Sequence, residues 1–180
     1  MPFTIKGDPL LIRILEKGHL EKLRRLRNDP KTNEHLTSIL PVNEHIQEEW
    51  FRKLCLDDSR MYFAIEDAKG RFLGMIRCDE WDRINRSIRI GMDIAPEQRR
   101  KGIATEAYRL FIQYLFEELG LHRIWLLVIG FNKPAMALYL KLGFVREGVQ
   151  RRAVYRHNRF HDYIMMSLLK TEYAKMRRNR

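Results

Sequence analysis

The sequence predicts an α/β domain of the α+β kind: one mixed central sheet of about six to seven strands, opened by an antiparallel meander. Two parallel strands splay apart at its centre, and helices flank it. Three observations predict this. Met61 to Glu66, Phe72 to Cys78 and Ser87 to Ile94 are short apolar-rich runs separated by turn chemistry, which reads as a meander. Arg123 to Ile129 is a nearly continuous apolar run, the mark of a strand buried on both faces. Between these last two strands lies an amphipathic helix, and a helical crossover makes the strands it joins parallel. Parallel neighbours that splay beyond their paired region leave a slot for a ligand beside the helix N-terminus.

The elements follow in order. Leu10 to Ile14 reads as a first strand, and Lys17 to Arg27 as a helix through Leu20, Leu23 and Leu26, stopped by Asn28-Asp29-Pro30. Residues 28–43 read as loop or short helix. A second helix runs from Asn43 or Glu44 to Leu56, with Asn43 as N-cap and Ile46, Trp50 and Leu54 on one face. It is expected to bring Trp50, Phe51 and the acids Glu44, Glu48 and Glu49 towards an acceptor cleft. Asp67-Ala68-Lys69-Gly70 is a hairpin turn. In the strand from Ser87, residues Ile88, Ile90, Met92 and Ile94 share one face. The long helix after it carries Ala107, Leu110, Phe111, Tyr114 and Leu115 at helical spacing and ends at Gly120. A short helix follows Pro134 and is capped by Gly143, and Val145 to Val149 and Phe160 to Leu168 close the sheet.

At 180 residues and 45% hydrophobic content, the chain is expected to form one compact domain over residues 1–172, followed by a basic tail, 173–180. It contains no apolar run near the ~20 residues of a membrane span and no secretory signal at its start, so the expected location is cytoplasmic. Cys55 and Cys78 form no C-x-x-C and read as reduced, mostly buried thiols. The net charge of +11 is uneven: residues 1–90 hold 17 Lys+Arg against 15 Asp+Glu, and 91–180 hold 17 against 8. A basic second half fits a phosphate-rich ligand, and also nucleic acid.

Within that half, Asp93-Ile94-Ala95-Pro96-Glu97-Gln98-Arg99-Arg100-Lys101-Gly102-Ile103-Ala104-Thr105-Glu106 is a basic turn between a strand and a helix. The helix's first N–H groups are unpaired and its macrodipole is positive there, so an anion, most naturally a pyrophosphate, belongs at this point. Neither a P-loop nor a G-x-G-x-x-G fingerprint is present. Arg99-x-x-Gly102-x-Ala104 resembles the Q/R-x-x-G-x-G/A acyl-CoA turn of the GNAT N-acetyltransferase superfamily. Asn132-Lys133-Pro134-Ala135-Met136-Ala137-Leu138-Tyr139-Leu140-Lys141-Leu142-Gly143-Phe144 resembles the N-x-x-A-x-x-x-Y-x-K-x-G-F pattern of the same family. With the ending Gly143 to Gly148, the resemblance is strong over about residues 86–168 and loose over 10–85. It is nearest to the subgroup of ribosomal-protein N-terminal and spermidine acetyltransferases.

This resemblance implies an acetyl-CoA-dependent enzyme. The turn from Arg99 through Arg100, Lys101, Gly102, Ile103, Ala104 and Thr105 would hold the pyrophosphate, mainly by backbone N–H groups. The strand Met92 to Ile94 would pair with the pantetheine amides and polarise the thioester carbonyl, an oxyanion-hole role. Asn132 and Ala135 would contact the CoA arm, and Tyr139 would sit near the sulfur. Full proton transfer from a Tyr of pKa ~10 to a thiolate of ~8.5 is uphill by roughly 2 kcal/mol, so Tyr139 stabilises the leaving sulfur by a hydrogen bond as much as it protonates it.

The positions at which many relatives carry a carboxylate base are Arg89 and Leu127 here, leaving Glu80, Asp82 and Asp93 as candidates, with Glu80 and Asp93 preferred. A weak base suits a weakly basic acceptor. At pH 7 a lysine-like amine of pKa ~10.4 costs about 4.6 kcal/mol to deprotonate, and an α-amine near 7.8 only about 1. The expected acceptor is therefore a protein N-terminal α-amine, with a ribosomal protein or the ribosome as its setting. An amino-sugar nucleotide is the alternative, and a polyamine ranks third. Transfer is expected by direct attack in a ternary complex, with no metal, because His157 and His161 share a face only if helical. Surface aromatics are compatible with a homodimer. The rival of another class is a non-catalytic CoA-binding or RNA-contacting module.

Overall fold

Alternation along the central strands decides what lies on each side of the sheet. The computed structural model describes residues 3–36 and 38–178. Among them, eight strands form one sheet: β1 (Thr4–Lys6), β2 (Leu10–Ile14), β3 (Met61–Asp67), β4 (Phe72–Asp82), β5 (Ser87–Ile94), β6 (Arg123–Ile129), β7 (Val145–Arg156) and β8 (Arg159–Leu169). Their spatial order is β1-β2-β3-β4-β5-β6-β8-β7. All neighbours run antiparallel except β5 and β6, which are parallel because a helix returns the chain between them. In β5, Ile88, Ile90 and Ile94 enter the larger apolar core, whereas Arg89 and Asp93, offset by one residue, face the opposite side.

The larger core is closed by α4 (Ile103–Gln113), α5 (Lys133–Lys141) and the strand residues beneath them. Ala107, Tyr108, Phe111 and Ile112 are the buried stripe of α4, and its last turn continues as a π-turn over Tyr114–Glu118. The wider π-turn lets the adjacent Leu115 and Phe116 both point inward. On the other side of the sheet, α1 (Leu20–Asn28) packs Leu20, Leu23 and Leu26 against Ala64, Phe72 and Met75, and α3 (Glu44–Cys55) adds Trp50 and Leu54. Asn43 caps α3 through Oδ1, which accepts from the Ile46 N–H at 2.8 Å. Between them lies α2 (Pro30–Asn33), a single turn capped by Asp29.

The sheet therefore has one strand more than expected, since the short edge strand Thr4–Lys6 pairs with β2. The final hairpin is also longer than its apolar core, because β7 carries an exposed polar face that lacks the alternation of a half-buried strand. Residues 170–178, which include the segment read as the start of a tail, form α6 (Lys170–Arg178). Tyr173 stacks on Phe116 at 5.0 Å, and Met176 covers Gly143, where an added Cβ would meet its Sδ at 2.2 Å. Of the two thiols, Cys78 is buried as expected, whereas Cys55 is exposed at the end of α3.

Phe111 fastens α4 to the sheet, its ring edge-on to Phe63 at 5.0 Å and fully buried. Phe111→Ala should destabilise the protein by about 3–5 kcal/mol, seen as a lower denaturation midpoint in urea.

Candidate active site

The site begins where β5 and β6 part. They pair only over Ser87–Arg89 and Arg123–Trp125, after which β5 continues to Ile94 and β6 to Ile129 without pairing to each other. The facing edges beyond Arg89 and Trp125 thus keep backbone groups available for an extended ligand carrying amides. Met92 and Ile94, expected along this edge, lie on it, and on its other side β5 is held by β4 through Ile76↔Met92 and Gly74↔Ile94.

At the end of β5 a 3₁₀ turn, Pro96–Gln98, leads into the basic loop and then α4. Arg100 and Gly102 both have positive φ, 62° and 79°, so the chain winds tightly into the helix. No side chain caps α4, which leaves the N–H groups of Ile103, Ala104 and Thr105 for a ligand, and a Cβ placed on Gly102 would meet nothing within 4 Å. An open, uncapped N-terminus of this kind suits a pyrophosphate. The side chains do less than the backbone here. Lys101 turns back to Gln98 Oε1 at 3.1 Å. Arg99 folds away, donating to Ile94 O (3.1 Å), Lys31 O (3.3 Å) and Thr32 Oγ1 (2.5 Å).

α5 follows closely on the end of β6. Asn132 caps it, its Oδ1 accepting from the Ala135 N–H at 3.2 Å, so these two residues are held together at the helix start. Tyr139 lies on the buried face of α5, 8% exposed, edge-on to Tyr108 of α4 with the two hydroxyls 3.4 Å apart. Burial raises the Tyr139 pKa against the opposing hydrogen bond from Tyr108 and the charge of Arg77. Its phenol is therefore protonated throughout the neutral range and keeps a proton to donate.

Across the sheet from α4 lies a cavity of about 240 Å³. Leu23, Leu36, Trp50 and Met75 give it apolar walls, and its polar surface is dominated by arginine: Arg27, Arg60, Arg77 and Arg89 against Asp79 and Asp93. Arg77 donates to Asp93 Oδ2 at 2.7 Å and occupies the space left by Gly91, where an added Cβ would sit 2.5 Å from its Cζ. Burial disfavours the Arg77 charge, but Asp93, Tyr62 and Asp79 outweigh it and hold its pKa above that of an ordinary arginine. Asp79 accepts from Tyr62 OH at 3.1 Å and lies 3.5 Å from Arg89. Burial first, and the Asp79 charge second, push the Tyr62 pKa up.

Of the two preferred carboxylate candidates, Asp93 lines this cavity and Glu80 does not. A bulge in β4 gives Glu80 a φ of 54° and turns its side chain outward to Arg89, at 3.0 Å. Asp82 accepts from Asn85 and is likewise outside. Asp79 is the cavity carboxylate that sequence reasoning passed over. Its signal was the alternation Met75, Arg77, Asp79 between buried apolar residues of β4. Trp50 reaches the cavity as expected. Phe51 does not line it, and of the α3 acids, Glu48 lies 3.9 Å from Lys17 and Glu49 3.0 Å from Arg52. Among the described residues no group of three or more His, Cys, Asp or Glu side chains is placed to hold a metal ion.

A parted parallel pair and an uncapped helix start at the end of one of its strands fit an acyl-CoA-dependent transferase. The model of the acetyltransferase (GNAT) domain matches residues 9–145, and the chain belongs to that family. It is 30% identical to spermidine N(1)-acetyltransferase of Vibrio cholerae over 93% of this chain and 96% of the other. It is 32% identical to YdaF of Bacillus subtilis, provisionally named a ribosomal N-acetyltransferase, over 95% and 97%. The crystal structure of the Vibrio cholerae spermidine enzyme in complex with CoA and spermine superposes with a TM-score of 0.88, covering 93% of this chain and 99% of that one at 30% identity. The protein is thus an acetyl-CoA-dependent N-acetyltransferase. No helix is long and apolar enough to cross a membrane among the described residues.

Arg99 joins the basic turn before α4 to the segment that leads to Leu36 in the cavity wall. Arg99→Ala should therefore raise the acceptor KM several-fold more than it weakens acetyl-CoA binding. Steady-state kinetics beside calorimetric titration of acetyl-CoA measures both. Gly91→Ala should displace Arg77 and lower kcat/KM by about tenfold or more, since a misplaced charge at the acceptor costs transition-state interactions.

Proposed function

We propose that the cavity on the α1 and α3 side receives the acceptor amine while acetyl-CoA lies along the parted edges of β5 and β6, so that the amine attacks the thioester directly. The N–C bond forms as the C–S bond breaks. The proton lost by the amine leaves through Asp93 or water, and the sulfur takes a proton or hydrogen bond from Tyr139. Backbone N–H groups at the start of α4, with Gly102 keeping the approach open, hold the pyrophosphate. Asn132 and Ala135 position the arm of the cofactor. Arg77 fixes the Asp93 carboxylate and spreads positive charge beneath the reacting groups.

For the acceptor, two bodies of observation point in different directions. The relatives named spermidine N-acetyltransferases favour a polyamine over the protein N-terminal α-amine read from the sequence. The pairing within the cavity favours a monoamine: its two lining carboxylates, Asp79 and Asp93, already have arginine partners. A polycation would bring further ammonium groups to a wall with no uncommitted lining carboxylate to receive them. That commitment of the carboxylates carries our reading, an acceptor with a single weakly basic amine such as the α-amine of a peptide or protein. Spermidine is the second reading. A ribosomal setting has only the provisional name of one relative behind it, and a homodimer only the dodecameric state described for the Vibrio cholerae enzyme.

Acetyl-CoA-dependent thiol release with N-terminal peptides, an amino-sugar nucleotide and spermidine tests the assignment. The highest kcat/KM should fall on a monoamine, and preferential turnover of spermidine would establish the second reading instead. Tyr139→Phe should lower kcat roughly 10²-fold with little change in acetyl-CoA affinity, and an unchanged rate would remove Tyr139 from the mechanism. Because the Tyr139 pKa is raised, its hydroxyl does not ionise as pH rises from 6 to 9. With an α-amine acceptor of pKa ~7.8, kcat/KM should climb across that window as the amine loses its proton and level off above it, with no alkaline fall from Tyr139.

A further inference from the structure

Three of the four cavity arginines are matched by carboxylates. Arg60 lies 3.2 Å from Asp57, Arg77 2.7 Å from Asp93, and Arg89 3.0 Å from Glu80. Arg27, in the last turn of α1, is different. Its guanidinium lies over the Trp50 ring, 5.5 Å from the centroid, and lines the cavity. Among the described residues it has no carboxylate within ion-pair distance and no hydrogen-bond acceptor. A half-buried charge that meets neither is costly, and burial does lower the Arg27 pKa, with Tyr62 and Asp93 only partly compensating. A planar guanidinium stacked on an aromatic ring is oriented in advance and offers its edge N–H groups in a fork that fits an oxyanion.

We infer that the molecule bearing the acceptor amine also bears an anionic group, a carboxylate or a phosphate, and that Arg27, held against Trp50, receives it. This rests on the reading of the cavity as the acceptor site and deepens it from a monoamine to an amine with an acid on the same molecule. The anion would supply the counter-charge that the described residues do not give Arg27. Its amine would lie towards Arg77 and Asp93 in the same cavity. Arg27 is thereby a specificity-determining residue, selecting acceptors by their anion and rejecting polycations.

The test compares acceptors in matched pairs: the peptide amides Gly-Asp-NH2 and Gly-Asn-NH2 for a carboxylate, and glucosamine 6-phosphate and glucosamine for a phosphate, with spermidine alongside. In the wild type the anionic member of at least one pair should have a kcat/KM tenfold or more above its neutral partner. The pair that shows it identifies the source of the anion. In Arg27→Gln that ratio should collapse to about one, and Arg27→Lys, which keeps the charge without the fork, should restore part of it. A ratio of one in both wild-type pairs overturns the inference, as does a ratio that survives Arg27→Gln or a preference for spermidine over every anionic amine. Binding provides a second reading that does not depend on turnover. Gly-Asp-NH2 or glucosamine 6-phosphate should perturb the emission of Trp50, assigned with Trp50→Phe, in the wild type and not in Arg27→Gln. Such a response without acetylation would sustain the anion site while rejecting the acceptor reading. Absence of both the response and a turnover preference would reject the anion site itself.

Discussion

The ion pair between Arg77 and Asp93 is the contact on which the rest of the site depends. The two residues stand on neighbouring strands two residues out of register and so on one face, Arg77 opposite Gly91 and Asp93 opposite Met75. Gly91 contributes by lacking a side chain, since the guanidinium fills the volume a Cβ would take. From this pair the contacts run outward: Arg77 approaches Asp79 at 4.0 Å, Asp79 approaches Arg89, and Arg89 reaches Glu80. A buried pair of this kind adds little stability relative to an apolar pair of the same volume, because both ions are desolvated, yet removal of one member strands the other. The pair is therefore better explained by the field it imposes on the cavity and on the Tyr139 hydroxyl than by the folding free energy it contributes.

The second constraint is mechanical and lies in the short segment from Asp29 to Leu36. Arg99 grips it from the cofactor turn through Lys31 O and Thr32 Oγ1. Arg156, near the end of β7, grips it from the opposite side through Glu34 O at 3.3 Å and Leu36 O at 2.5 Å. Leu36 lines the cavity across the sheet from α4. The turn before α4 and this cavity wall thus share one strut, which couples the site proposed for phosphate to the one proposed for the amine. A single α-helical turn without its own apolar face could not hold this position by packing; Thr32 is its one buried residue.

The local geometry of the proposed cofactor half was legible in the sequence because it is contiguous. The turn from Arg99 to Thr105 and the cap from Asn132 to Ala135 are contiguous, and their chemistry is that of backbone N–H groups whose direction the helix dictates. The acceptor half was not legible in the same way. Arg27, Trp50, Arg77 and Asp93 come from α1, α3, β4 and β5, and only the register of the sheet brings them together. The role of Arg99 was equally hidden, since its partners lie 67 and 68 positions away. In α6 the signal was present but masked: Tyr173 and Met176 stand three residues apart, a helical step, within a segment whose Lys and Arg content reads as solvated tail.

The same division explains why the relatives and the cavity speak differently about the acceptor. The residues that carry the family resemblance are those of the turn and the tyrosine helix, to which the cofactor is assigned in the proposal. The proposed acceptor cavity is lined instead by side chains on the opposite face of β4 and β5. Arg89 stands where the resemblance led to the expectation of a glutamate, and it takes Asp79 and Glu80 as its counter-ions. A fold fixes the donor chemistry, and the acceptor has to be argued from the site. Here two lining carboxylates committed to arginine, and a fourth guanidinium left to an aromatic ring, favour the reading of a cavity that lacks an anion over one that seeks a cation.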